Sequence, residues 1–207
     1  NGVQDAFYRD DRALVISLHE NGRDLYPWSG FESEIGEGKG RGYNVNVPLP
    51  KQTDDEAFVR AFEEIVPPLL EAYAPDIVIA ELGADTHISD PLTHLSLTNL
   101  GYCRVVERLA ERVPRLLALG GGGYDVYKTT RSWTLAWAIL NHLEPRDEYV
   151  GVIGGMTFGP EAEAGDLHDK TVYTTGAVKE RINQEIDRVL STIKQTVFPI
   201  HKIHLYN

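Results

Sequence analysis

One cysteine and one methionine, Cys103 and Met156, stand in 207 residues. A lone cysteine closes no internal disulfide, which excludes a disulfide-stapled fold and favours a reducing compartment. No apolar run approaches the roughly 20 residues that span a bilayer, and no secretory signal opens the chain; the sequence reads as cytoplasmic, with no membrane partner. Basic residues are in deficit, 20 against 31 acidic, for a formal charge of −11. That balance argues against nucleic acid as the main partner and suits a cationic substrate. A Ser-His-Asp pattern, a phosphate-binding loop, a zinc ribbon and internal repeats are all missing. With 42% hydrophobic and 25% charged residues, the chain has the composition of a single globular domain with a sizeable core. Asn1 is not a translation start.

What the chain does have is a run of four glycines and a tyrosine, Gly120-Gly121-Gly122-Gly123-Tyr124, directly after Leu116-Leu117-Ala118-Leu119. A short apolar run bounded by glycines predicts a buried strand, and glycines at its end let main chain approach a ligand closely. Two further strand patterns end in polar groups: Asp76 to Glu81 runs into Leu82-Gly83-Ala84-Asp85, and Ala13 to Leu18 into His19. Strand ends carrying polar groups are what an open α/β sheet offers a ligand.

Between these strands lie helical patterns, which predicts an α/β fold with a parallel sheet and flanking helices. A glycine-rich loop over 19–42 carries Tyr26, Trp28 and Phe31, with Tyr43 at its end, as a pocket wall, and residues 43–47 predict a short strand. Asp54-Asp55-Glu56 opens a helix with Phe58, Phe62, Ile65 and Leu69 inward, which Pro67-Pro68 should kink or restart. Thr98 caps a helix that runs to about Val113 and stops at Pro114. Residues 128–143 predict a buried helix beneath the glycine turn, and 177–197 an amphipathic one on Val178, Ile182, Ile186, Val189 and Ile193. The expected organisation is one domain over 1–207, with a motif-bearing core at 1–143 and an irregular segment plus C-terminal helix at 144–207.

From position alone, Asp85 has three open roles: metal ligand, base or cap. His87 gives an Asp-x-His spacing that would place two ligands on one metal only if the strand continues; Asp90-Pro91 predicts a turn, and so a bystander histidine. His19 reads as a satisfied strand-end residue and Cys103 as packing.

The stretches from Asn1 to Tyr8, Val15 to His19, Gly36 to Gly40, Asn46 to Leu49, Leu82 to Asp85, Leu119 to Tyr124 and Arg131 to Thr134 together resemble the histone deacetylase superfamily, which includes bacterial acetoin-utilization proteins and acetylpolyamine amidohydrolases. The resemblance covers roughly residues 1–140. It implies an arginase/deacetylase-like fold and a zinc-dependent hydrolase of acetyl-lysine or acetylated amines, in which metal and tyrosine share stabilisation of the reacting carbonyl. Carried over by motif, Asp85 is a zinc ligand and Tyr124 the catalytic, oxyanion-binding tyrosine. Tyr26 walls the acyl-lysine channel, Leu92 sits at its rim, and Gly122 and Gly123 line the substrate. Ser17 and Leu18 match a potassium site, and Phe7, Asp10, Ala13 and Tyr43 a second monovalent site.

Two departures accompany the resemblance. Trp28 stands where the family has a glycine. The family's tandem histidines and Asp-x-His zinc motif lie just before the text that begins at Asn1. The implication is the C-terminal portion of a deacetylase, truncated on its N-terminal side and inactive in isolation, with homo-oligomerisation through a strand edge at 13–18 as a corollary. The alternative is a non-catalytic oligomerisation or interaction module built on the same fold. Dinuclear manganese ureohydrolases share the fold but need a carboxylate where this chain has His87.

Overall fold

The structure, a computed structural model, describes residues 1–143 and 167–204; most of the segment expected to be irregular lies outside them. The described elements, in chain order, are α1 (Gly2–Phe7), β1 (Val15–Glu20), a 3-10 turn (Gly38–Gly40), β2 (Asn44–Leu49), α2 (Asp55–Tyr73), β3 (Val78–Glu81), α3 (Asn99–Arg112), β4 (Leu116–Leu119), α4 (Val126–Leu140) and α5 (Gly176–Thr196). The strands form two parallel pairs. β1 lies on β2 from Val15↔Asn44 to Glu20↔Leu49, and β3 on β4 from Val78↔Leu116 to Glu81↔Leu119. Parallel neighbours point their C-terminal ends the same way, so the turns after β3 and β4 meet at one rim.

Helix starts follow capping chemistry. Asp54 Oδ1 accepts from Ala57 N at 3.0 Å and opens α2. Thr98 caps α3 and gives its own N–H and hydroxyl to Asp55, at 2.8 and 2.6 Å. Asp125 Oδ1 accepts from Lys128 N at 3.1 Å to start α4. Each satisfies donors that a helix N-terminus leaves orphaned.

The main core lies where β2, α2 and α5 meet. Val45, Val47, Leu49, Ile65, Leu69, Ile182, Ile186 and Ile193 are all buried there. A second cluster joins α2 and α3 to the inner face of β3–β4 through Phe62, Val66, Ala80 and Leu109, and a third joins α3 to α4 through Tyr102, Cys103, Val106 and Leu135. Cys103 is packing, as the sequence suggests; burial pushes its thiol up to about 12.

Two expectations need correction. Pro67 and Pro68 do not interrupt α2, which is continuous through both. Each proline forfeits one backbone bond, but buried Ile65, Val66 and Leu69 hold both flanks of the helix against the core. Nor is α4 buried all round. Leu135, Ala136 and Ala138 face inward, while Trp133 and Trp137 are exposed at 38% and 59%.

Candidate active site

β3 and β4 deliver the two motifs to the same rim. Ala84 N donates to Gly122 O at 2.7 Å and Leu82 N to Leu119 O at 3.0 Å, so the Leu82–Asp85 turn is stitched to the glycine turn. Asp85 lies against Gly122; a methyl group on Gly122 would overlap Asp85 Oδ2 and the carboxyl carbon. Gly121 faces Gly83, where a methyl group would come within 2.8 Å of its Cα and N. Glycine is needed at these positions because two main-chain turns and a carboxylate share one space.

Asp85 is an ionisable group in poor surroundings for its charge. Burial pushes its pKa up, and Asp90, Glu81 and Glu20 add to the shift. Its main-chain oxygen accepts from the Thr93 hydroxyl, but its carboxylate draws no donor from another described residue. A partly buried carboxylate without donors has the electronic character of a cation ligand.

Tyr124 leaves the same turn with its side chain exposed. Its main-chain N–H donates to Asp90 Oδ2 at 2.9 Å, while Asp90 Oδ1 accepts from Leu92 N at 2.9 Å and Thr93 N at 3.1 Å. Asp90 is buried and thus joins the rim residue Leu92 to the tyrosine turn. Only the Asp-Pro turn signal hinted at this.

His87 turns away from Asp85. Its Nδ1 accepts from Ser89 N at 3.1 Å, and its Nε2 lies 2.8 Å from Asp169 Oδ2. Asp169 also takes Lys128 Nζ at 2.8 Å and Asn99 N at 3.0 Å. Burial opposes its charge, but the His87 and Lys128 hydrogen bonds outweigh that and hold its carboxyl well below the usual range. Ser89 Oγ, 2.9 Å from His87 Nδ1, donates to Asp125 Oδ2 at 2.5 Å. A chain of contacts thus runs from the segment before α5 to the cap of α4. Nothing in the sequence near Asp169 announced it.

The other sequence-selected residues lie on α1, on β1 and in the loops that flank β1. Ser17 Oγ is 2.8 Å from His19 Nδ1, and His19 Nε2 is 2.9 Å from Gly30 O; burial pushes the His19 pKa down. Asp10 is gripped by Arg12 N, Nε and Nη2, which brings its pKa to about 2. Phe7 O accepts from Asp10 N and Tyr43 O from Val15 N. Tyr26 and Trp28 stand edge to face, 5.2 Å apart and both exposed. Trp28 has φ 58°, in the left-handed region that favours glycine. Among the described residues no group of three His, Cys, Asp or Glu side chains is placed to hold a metal ion, so the described residues by themselves do not form a complete zinc site. No described helix is long and apolar enough to cross a membrane.

The histone deacetylase domain matches residues 1–140. The acetoin utilization protein AcuC of Bacillus subtilis is 37% identical over 155 residues, which are 72% of this chain and 40% of that protein. A probable deacetylase of Archaeoglobus fulgidus is 42% identical over 131 residues, 61% of this chain and 36% of its own length. The crystal structure of an HDAC homolog from Aquifex aeolicus superposes with a TM-score of 0.79 at 30% identity, over 93% of this chain and 54% of that one. An HDAC homolog complexed with SAHA gives 0.80 at 31% identity. The chain spans about 40% of the length of the AcuC proteins it matches. The fold is therefore arginase/deacetylase-like, and the chain belongs to the histone deacetylase family.

Proposed function

We propose that the chain is part of a deacetylase that hydrolyses the amide of an acetylated lysine or another acetylated amine. The observation that carries this reading is the fit of Asp85 against Gly122, which brings a donor-poor carboxylate and the Tyr124 turn to one rim. In this reading the Tyr124 hydroxyl donates to the oxygen that becomes anionic when water adds to the acetyl carbon, an interaction worth about 3 kcal/mol for a well-placed donor. Tyr26, Leu92, Gly122 and Gly123 form the approach for the acylated side chain. Zinc is the family's metal; Asp85 would supply one ligand, and the others are not among the described residues. Potassium at Ser17 and Leu18, with a second monovalent ion near Phe7, Asp10, Ala13 and Tyr43, belongs to the same proposal.

The isolated chain is proposed to be inactive, because one carboxylate does not make a zinc site. The alternative, a non-catalytic interaction module, draws on the same shortage of ligands. Two measurements separate them: zinc retained after dialysis against a weak chelator, and release of acetate from an acetyl-lysine peptide by a complete domain built on this chain. Hydrolysis that falls at least 100-fold in Tyr124→Phe supports the deacetylase reading. A complete domain that binds zinc but releases no acetate overturns it.

A further inference from the structure

The turn from His87 to Asp90 takes hold of the chain on both sides of the Tyr124 side chain. On one side Asp90 Oδ2 accepts from Tyr124 N at 2.9 Å. On the other, Ser89 Oγ donates at 2.5 Å to Oδ2 of Asp125, the next residue in the chain, whose Oδ1 caps α4. Tyr124 itself is 53% exposed, so packing does little to fix its ring. It follows Gly123, which stands at φ 142°, a residue that leaves the backbone free to swing. The two bonds therefore set the direction in which the phenol leaves the turn.

The His87–Asp90 turn is held from behind in its turn. The His87 and Asp169 side chains are 6% and 7% exposed. With the Nε2 proton directed at Asp169 Oδ2, 2.8 Å away, Nδ1 is left to accept from Ser89 N. Asp169 is fixed at both oxygens and at its main chain: Oδ1 takes Lys128 Nζ, Oδ2 takes Asn99 N, and Asp169 N donates to Asn99 Oδ1 at 2.8 Å. Asn99 Nδ2 and Arg131 Nε reach Leu167 O at 2.7 and 3.2 Å, and Arg131 Nη2 reaches His168 O at 3.3 Å. A tie between α3 and α4 alone needs no histidine, since Tyr102, Cys103, Val106 and Leu135 already join them. What the Asp169–His87 pair adds is a locked ring that orients Ser89, and a fully partnered polar network of this kind specifies one geometry.

We propose that Asp169 and His87 are positioning residues for Tyr124, fixing the tyrosine turn through Ser89 and Asp90 so that its hydroxyl meets the substrate carbonyl. Neither residue touches substrate. Misplacing a reacting group by 1 Å costs about 100-fold in rate, so the relay sets turnover rather than affinity. The inference rests on the deacetylase reading for what the Tyr124 hydroxyl does, and not for how its main chain is placed.

Two measurements test it. In the chain as it stands, hydrogen exchange at the Tyr124 amide is expected to speed at least 10-fold in Asp169→Asn and in Ser89→Ala. The Ala84 amide, held by Gly122 O outside the relay, is expected to keep its rate. In a complete domain built on this chain, both substitutions are expected to lower kcat for an acetyl-lysine peptide at least 10-fold, with KM and zinc content unchanged. In a Tyr124→Phe background they are expected to cost no further activity, because no hydroxyl is left to place. Losses that repeat in full in Tyr124→Phe, or a Tyr124 amide that exchanges no faster in Ser89→Ala, overturn the proposal and leave the network a plain tie between helices. If Asp169→Asn does not fold, Ser89→Ala decides by itself. Faster exchange at Tyr124 in a chain whose complete domain releases no acetate supports the placement and sinks the deacetylase reading instead.

Discussion

Asp85 is where stability and function pull in opposite directions. Its carboxylate has lost water and gained no donor from a neighbouring side chain, and three acidic residues add repulsion. Asp85→Asn removes the charge and keeps the shape, so it is expected to raise the melting temperature of the metal-free chain by a few degrees, read by calorimetry at neutral pH. A lower melting temperature would show that the charge is already compensated. Asp169 is the opposite case. Its folded pKa lies below the ordinary carboxylate value of about 3.9, so the stability it contributes is fully present above that value and is lost as pH falls below about 4. Asp169→Asn is expected to cost on the order of 3 kcal/mol near pH 7, because it weakens the bonds to His87 and Lys128 inside a nearly dry site. The variant's denaturant midpoint should also lose part of its acid sensitivity between pH 5 and 3, on the order of the carboxylate titration range. Cys103 acts at the other end of the scale. With its thiol held at about 12, against about 8.5 unfolded, it takes stability away as pH rises above 8.5.

At the level of elements, α5 shows how a helix read from periodicity becomes part of the core. Ile182, Ile186, Val189 and Ile193 fall on one stripe, and the structure buries them against β2 and α2. Ile186→Ala leaves a cavity in that contact and is expected to cost about 2–5 kcal/mol by urea unfolding. Val178→Ala, at the exposed start of the helix, is expected to cost less than about 1 kcal/mol, so the pair measures how far the packed part of α5 extends. α2 makes the complementary point. Two prolines predict a break by local chemistry, yet the helix continues because its flanks are anchored by burial. No periodicity or motif assigns a role to the segment before α5. Through Asp169 and Thr174, whose N–H and hydroxyl donate to Asp54 Oδ2 at 2.9 and 2.6 Å, it fastens the N-termini of α2 and α3.

For the whole molecule, the two faces of β3–β4 decide how a substitution is felt. Ala80 faces the core and Ile79 faces solvent, although they are neighbours in sequence. Ile79→Lys is expected to change the unfolding free energy of this chain by no more than about 0.5 kcal/mol, as for ordinary surface positions. Ala80→Lys is expected to prevent folding, because it would bury an unpaired charge. Urea titrations of the two variants check this; a large loss for Ile79→Lys would mean that its face is already covered in the chain alone. Among the described strand residues, the large exposed apolar side chains lie on β3 and β4.

The sequence by itself determined the α/β class, the strands that carry Asp85 and Tyr124, the capped starts of α2 and α3 and the buried stripe of α5. Each rests on local chemistry: apolar periodicity, a capping side chain, or glycines where a turn must be tight. Only the tertiary structure decided that Gly122 seats the Asp85 carboxylate, that His87 is turned to Asp169 rather than to a metal, and that Asp90 holds the Tyr124 turn. Those pairings span 34 to 82 positions of sequence, a distance that no periodicity or motif spacing covers. The bare face of β3–β4 was hidden for a related reason. A continuous apolar run says that a strand is suited to burial on both sides, but which side is covered depends on what else has packed against it.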